Sequence, residues 1–334
     1  MFPLPPEIWA IIVDKLAPPD CRLALPPSHE ITKTLVSLSV TSKHLSYLAQ
    51  PLLFKHCVYI DSLQRLECLD WGLSHALWRT YFLHGLPKHK FAVVKMFLAP
   101  FPDQDIRDKR KVANAIVILL AQIEGSLRRL VVDIPFRSCF PEDDMYGVRP
   151  LLRSAFLRLI NLEEFVSVKD ELYLDLGRAE DDPEQSETQV WSYWTNLRSL
   201  ALYNTDLEDE DFLGGVVELP NIHTLVLIRC DSIRHGLPKL LVRLRRPLQI
   251  YLVNTAGGHD HDTDMVVAAP ETLLHKEQFA VLVYRVDVPT MSDNSDIGHC
   301  QAWLRDKASD GVLWKFEDST LLFGAMLLQS PQGS

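Results

Sequence analysis

Leu127-Arg128-Arg129-Leu130-Val131-Val132, Leu197-Arg198-Ser199-Leu200-Ala201-Leu202 and Ile222-His223-Thr224-Leu225-Val226-Leu227 share one figure, an apolar residue followed at +3 and +5 by two more. The figure recurs at Leu162/Phe165, where Ser167 takes the third place, and at Pro247/Ile250/Leu252, so that successive starts lie 35, 35, 25 and 25 residues apart. Fainter copies fit at Phe91/Val94/Met96 and at Val58-Tyr59-Ile60. Asn161, Asn196 and Asn221 each stand immediately before a copy. Apolar alternation over so short a span predicts a strand. A strand returning at a near-regular interval predicts an array of like units.

The interval leaves room for a helix between strands. Asp103 is placed to cap one running to Glu124, with Ala113, Ile116, Leu120 and Ile123 facing inward and Gly125 beyond its end. Pro150 opens another, with Leu151, Leu152, Ala155, Phe156 and Leu159 on its apolar face. A strand-helix unit of this size cannot bury its own apolar face and must stack on its neighbours. The fold class expected is therefore α/β, with an irregular leucine-rich-repeat-like solenoid over residues 57–254. A mixed α/β domain without repeat geometry is the other arrangement these patterns allow.

Residues 255–334 leave the figure. Thr255 to Asp264 reads as a loop, Phe279 to Val288 as a strand, and Ile297, Cys300 and Leu304 as one face of a helix, followed by the apolar Leu313, Trp314 and Phe316. This region is expected to cap the open end of the array, whose core would otherwise be exposed. Of two acidic stretches, Gly177 to Gln189 reads as a solvated loop. The other, Asp206 to Asp211, opens a helix whose N-terminal dipole favours negative charge.

Residues 1–56 have a different texture. Leu4-Pro5-Pro6-Glu7-Ile8 leads into a helix with Ile8, Ile11, Ile12 and Leu16 on one face, ended by Pro18-Pro19. A second periodic segment carries Leu35, Leu38 and Val40. Ser42 is the N-cap expected for a third helix, Lys43 to Gln50, which Pro51 should stop, leaving Leu52-Leu53-Phe54 as an apolar knob. Three short helices have too little interior for so many Leu and Ile, so part of this surface must meet another surface.

The run Leu4-Pro5-x-Glu7-Ile8-x-x-Ile11-Ile12-x-x-x-Leu16, followed by Leu35-x-x-Leu38-Ser39-Val40-x-Ser42-Lys43-x-Leu45-x-x-Leu48-Ala49-x-Pro51-x-Leu53-Phe54, resembles the F-box motif in its fungal form. The stretch between Leu16 and Leu35 is longer than is usual in that family. The resemblance implies a three-helix module that docks on the Skp adaptor of a cullin-RING (SCF) ubiquitin ligase. It places the adaptor contact on Leu4, Pro5, Ile8, Ile12, Leu16, Leu38, Val40, Leu53 and Phe54, some of which must instead be the module's own core. The repeat-like region resembles the irregular leucine-rich-repeat domain that follows the F-box in many family members and binds the protein substrate.

With 34 Lys+Arg against 44 Asp+Glu the net charge is −10, which disfavours a partner held through phosphates and so makes nucleic acid a poor expectation. The six cysteines form no CxxC pair and read as buried thiols of a reducing compartment. With no signal-like N-terminus and no apolar run longer than Ala115 to Ala121, the expectation is a cytoplasmic or nuclear protein without a membrane contact.

No nucleotide-binding glycine loop, nucleophile elbow or zincin helix occurs, and no carboxylate pair stands out by spacing. His259-x-His261-x-Thr263-Asp264 could supply zinc ligands, with others from His223, His235, His275 or His299, which is the alternative of a metal-dependent hydrolase. A solvated loop is the simpler reading there. The clusters Arg107/Lys109/Arg110/Lys111 and Arg243/Arg245/Arg246 read as solvated helix faces. The expectation is a non-catalytic substrate-recognition subunit without a cofactor, or an interaction scaffold. Its substrate-facing residues, from strand alternation, are Arg128, Arg129, Glu163, Glu164, Arg198, His223, Thr224 and Tyr251.

Overall fold

The computed structural model describes residues 5–16, 24–79, 92–101, 105–176, 188–255, 281–289, 295–316 and 319–324. The chain is mixed α/β. Its strands are β1 (Val58–Ile60), β2 (Lys95–Leu98), β3 (Arg129–Val132), β4 (Glu164–Ser167), β5 (Ser199–Tyr203), β6 (Thr224–Ile228), β7 (Leu248–Thr255), β8 (Val281–Val288) and β9 (Thr320–Gly324). They lie side by side in chain order in one sheet, parallel from β1 to β8, with β9 antiparallel on β8. Among the described residues the helices are α1 (Pro6–Asp14), α2 (Glu30–Thr41), α3 (Lys43–His56), α4 (Leu63–Arg79), α5 (Arg110–Ile123), α6 (Val148–Leu157), α7 (Glu210–Glu218), α8 (Ile233–Arg243) and α9 (Asp296–Asp310).

The apolar figure sets the sheet's register. Leu130, Phe165, Leu200, Leu225 and Ile250 are consecutive Cα partners, and all five are buried in one core with α4 to α8. The residues between them, Val131, Val166, Ala201, Val226 and Tyr251, form the matching row on the other face, also buried. A parallel strand covered on both faces reads as a near-continuous apolar run, as Thr224–Ile228 does.

The recurring asparagines act at the turns. The side-chain amides of Asn161, Asn196 and Asn221 donate to the carbonyls of Glu124, Ile160 and Thr195, each in the turn of the preceding unit. Arginines do similar work: Arg128 donates to the carbonyls of Gly125 and Leu127, and Arg246 to those of Val216 and Val217 at the end of α7. Between α8 and the turn before α7 the packing is close enough that a Cβ on Gly236 would stand 2.1 Å from the Leu207 carbonyl oxygen.

Several helix boundaries differ from the sequence expectation. The helix α5 starts at Arg110, because the preceding residues are spent seating Ile106, which is buried and donates its N–H to Ser138 Oγ at 3.2 Å. Asp103 lies outside the described residues. The helix α6 starts at Val148, two residues before Pro150, because the Asp144 carboxylate accepts the N–H groups of Val148 and Arg149, both at 2.8 Å, after Gly147 at φ 63°. The predicted cap at Ser42 is present, its Oγ accepting from Leu45 at 3.2 Å. Pro51 does not stop α3, which continues to His56. An internal proline costs a helix about 3 kcal/mol, and burial of Leu52 and Leu53 against the N-terminal helices and of Phe54 against the sheet core offsets it.

Thiol placement is mixed. Cys139, Cys230 and Cys300 are buried as expected, Cys57 is half-buried and Cys68 is exposed on α4; Cys21 lies outside the described residues. Among the described residues no helix is long and apolar enough to cross a membrane.

Candidate functional site

The strand positions read as substrate-facing do not form one open surface. Arg129 and Glu164 are register partners on β3 and β4 and pair at 3.0 Å. Trp314, in the segment after α9, donates its Nε1–H to Glu164 Oε2 at 2.9 Å. Tyr251 is 7% exposed, stacked on Tyr284 with centroids 4.9 Å apart and against Phe316 at 4.0 Å, and burial pushes its phenol pKa up. These three residues are therefore under cover. Arg128 and Glu163 have the opposite parity and meet at 3.7 Å beside the turns; Arg198 and His223 are exposed and Thr224 is half-buried. His223 borders a cavity of about 320 Å³ with Pro247, Gln249 and Leu282.

The cover is α9. Ser295 caps its start by accepting the Gly298 N–H at 3.3 Å, and Gly311 ends it at φ 71°. Cys300, Leu304 and Ala308, at i, i+4 and i+8, are buried together with Leu313 against Val131, Val166, Val226 and their neighbours on the strand face. Burial raises the Cys300 thiol pKa to about 11. Two polar ties flank this apolar seam. Arg305 Nε donates to Asp133 Oδ2 at 2.7 Å, just beyond β3, and Lys169 Nζ donates to Gln301 Oε1 at 3.0 Å, just beyond β4. The C-terminal region thus does two things: β8 and β9 extend the sheet, and α9 with residues 311–316 lies across the strand face. The sequence signal for this cover was the unbroken apolar texture of the strands, which requires burial on both sides.

A second polar cluster joins the loops after β3 and β4. Asp170 is buried and accepts N–H groups from Arg137 at 3.1 Å and from Leu172 and Tyr173 at 3.0 and 3.3 Å. Burial, and next the Glu171 carboxylate, raise its pKa to about 7. Arg137 pairs with Glu171, and the Tyr173 ring has the Arg137 and Arg149 guanidiniums 4.9 and 4.6 Å from its centroid. Arg149 is fully buried and donates to the carbonyls of Phe136, Cys139 and Asp175. The guanidiniums of Arg137 and Arg149 are spent on a carboxylate and on loop carbonyls, which makes the cluster a brace between two turns.

The N-terminal helices separate the residues read as adaptor-facing. Val13, Leu35, Leu45 and Ala49 form the core of these helices, with Leu16, Leu38 and Leu53 packed against it, so the last three are structural. Phe54 packs on the sheet core. Pro5, Ile8, Ile12 and Val40 are exposed, Val40 at 80%. Ile11, Val36 and Tyr47, which the sequence reading did not assign to the contact, are exposed as well. Leu4 lies outside the described residues.

The basic clusters are largely committed to internal pairs. Arg107, Lys109 and Lys111 meet Asp105, Asp108 and Glu67, Arg110 donates to the Tyr146 carbonyl, and Arg243 meets Glu210 at 2.7 Å. His259, His261 and His275 lie outside the described residues, as does the acidic stretch from Gly177 to Glu187. Among the described residues no three His, Cys, Asp or Glu side chains are grouped to hold a metal. No family model matches the chain, and neither a curated protein nor a solved structure is significantly similar to it.

Proposed function

We propose that this chain is a non-catalytic substrate-recognition subunit of an SCF-type ubiquitin ligase. In this reading the N-terminal three-helix unit is an F-box that docks on the Skp adaptor, and the sheet and its helices are a leucine-rich-repeat-like solenoid that presents a protein substrate. The observation that carries it is the apolar face of α1. Ile8, Ile11 and Ile12 are 41%, 57% and 40% exposed on a unit whose interior is already filled by other residues. A contiguous apolar surface that the fold leaves uncovered marks a contact with another molecule.

The proposed mechanism is proximity: holding a substrate lysine beside a charged ubiquitin-conjugating enzyme raises its effective concentration without any bond being made by this chain. The reducing-compartment reading of the thiols fits a cytoplasmic or nuclear ligase. The alternative is an interaction scaffold in which the three helices serve only internal packing. The contact of Phe54 with the sheet core and the Leu25 N–H bond to the His56 carbonyl at 2.8 Å speak for some packing role.

Binding of the full chain to purified Skp adaptor tests the proposal. Ile8→Asp with Ile12→Asp should abolish binding while the melting temperature stays unchanged, because both side chains are exposed. Absence of binding by the folded wild-type chain would leave the scaffold.

A further inference from the structure

The segment that closes the strand face also builds a cavity of about 330 Å³ against the end of β8. Trp303, Phe316, Val286 and Val312 give it an apolar wall, and Asp287, Pro289 and the exposed Lys307 and Lys315 complete its lining. The Trp303 and Phe316 rings are nearly parallel, 16° apart with centroids at 6.2 Å, and the Lys307 ammonium stands 6.0 Å from the Trp303 centroid. The size is at the lower end for a ligand pocket and suits one large side chain.

The chain carries a net charge of −10, and basic side chains such as Arg107, Lys111 and Arg243 are paired with carboxylates. Asp287, the acidic group of the lining, is held by Arg285 at 2.7 Å. Among the described residues, Lys307 and Lys315 form no ion pair. An aromatic wall beside two ammoniums that have no ion pair among the described residues is complementary to an apolar group carrying negative charge next to it.

We infer that this cavity recognises an acidic peptide segment, taking one aromatic side chain against Trp303 and Phe316 while adjacent carboxylates meet Lys307 and Lys315. The inference rests on the proposed recognition role and names the class of substrate for it. It also moves the recognition site from the strand face, where Arg129, Glu164 and Tyr251 are covered, to the segment that covers them.

The test is fluorescence anisotropy on the full chain with a labelled short peptide in which phenylalanine is flanked by glutamates. Two control peptides carry glutamine for the glutamates or alanine for the phenylalanine. Each control should bind about tenfold more weakly, and Lys307→Glu with Lys315→Glu should weaken the parent peptide at least as much. Lys307→Gln with Lys315→Gln, which adds no repulsion, should weaken it less. Both lysines are exposed, so an unchanged melting temperature is expected. Absence of binding by the wild-type chain, or binding that survives the charge reversal, overturns the inference. The adaptor reading is scored separately on the same protein: Ile8→Asp with Ile12→Asp should leave peptide affinity unchanged. Peptide binding without adaptor binding would keep the pocket and remove the ligase.

Discussion

Arg305 on α9 donates to Asp133 beyond β3 at 2.7 Å, joining two residues 172 positions apart. The Asp133 side chain is 8% exposed and Lys169 is its other cationic neighbour at 3.9 Å. Through this pair the C-terminal region is held over a face that strand alternation alone would leave open.

Removing the arginine leaves the buried Asp133 carboxylate with only the more distant Lys169 as a cationic neighbour. Arg305→Ala should destabilise the protein by about 2–3 kcal/mol, less than a fully buried pair because the arginine is partly solvated. A double-mutant cycle with Asp133→Asn, followed by urea denaturation, should return a coupling of about 1–2 kcal/mol. Coupling near zero would show that this pair does not help to seat α9, leaving the apolar seam and the Lys169–Gln301 bond to do so.

Gly236→Ala should be among the most damaging single-methyl additions in the chain. The new Cβ would meet the Leu207 carbonyl oxygen at 2.1 Å, and backbone cannot turn aside as a side-chain end can. Overpacking of this kind costs about 1–3 kcal/mol or more, a fall of several degrees in Tm. Gly214, where nothing lies within 4 Å, is the control and should tolerate alanine.

The asparagines at the turns should act independently when they share no partner. Asn161 bonds the Glu124 carbonyl and Asn221 the Thr195 carbonyl. Replacing either with alanine should cost about 1 kcal/mol, and replacing both about 2 kcal/mol, by chemical denaturation. A loss well above that sum would mean that adjacent units unfold as one.

Asp170 should give stability a specific pH dependence. Its carboxyl pKa is raised from 3.8 to about 7 by burial, so between those values the folded protein keeps a proton that the unfolded chain releases. Its contribution is therefore fully present at low pH and is lost as pH rises through about 4 to 7. Asp170→Asn should flatten that part of the stability profile relative to the wild type, measured by denaturation at pH 5 and pH 8. Parallel profiles would place the group's titration outside this window.

The parts of the fold legible in advance were those governed by local rules. Leu130, Phe165, Leu200, Leu225 and Ile250 were picked out by spacing and became one register row. The Asn residues, Ser42 and the acidic N-terminus of α7, where Asp209 accepts from Asp211, were also readable from short motifs. Helix starts were less so, since Asp144 and Ile106 act through contacts that no window of sequence contains. The exposed Ile8 and Ile12 and the structural Leu16, Leu38 and Leu53 looked alike in sequence because both sets are apolar at helical spacing.

Sequence alone determined that the chain alternates strands with helices and that Leu130, Phe165, Leu200, Leu225 and Ile250 belong to one apolar row, because helical period and the strand figure are properties of a few adjacent residues. Only the tertiary structure decided what covers the second face. Val131, Val166 and Val226 demanded burial there, yet the residues that supply it, Cys300, Leu304 and Ala308, sit far along the chain, and the choice depended on the path that brings Arg305 to Asp133.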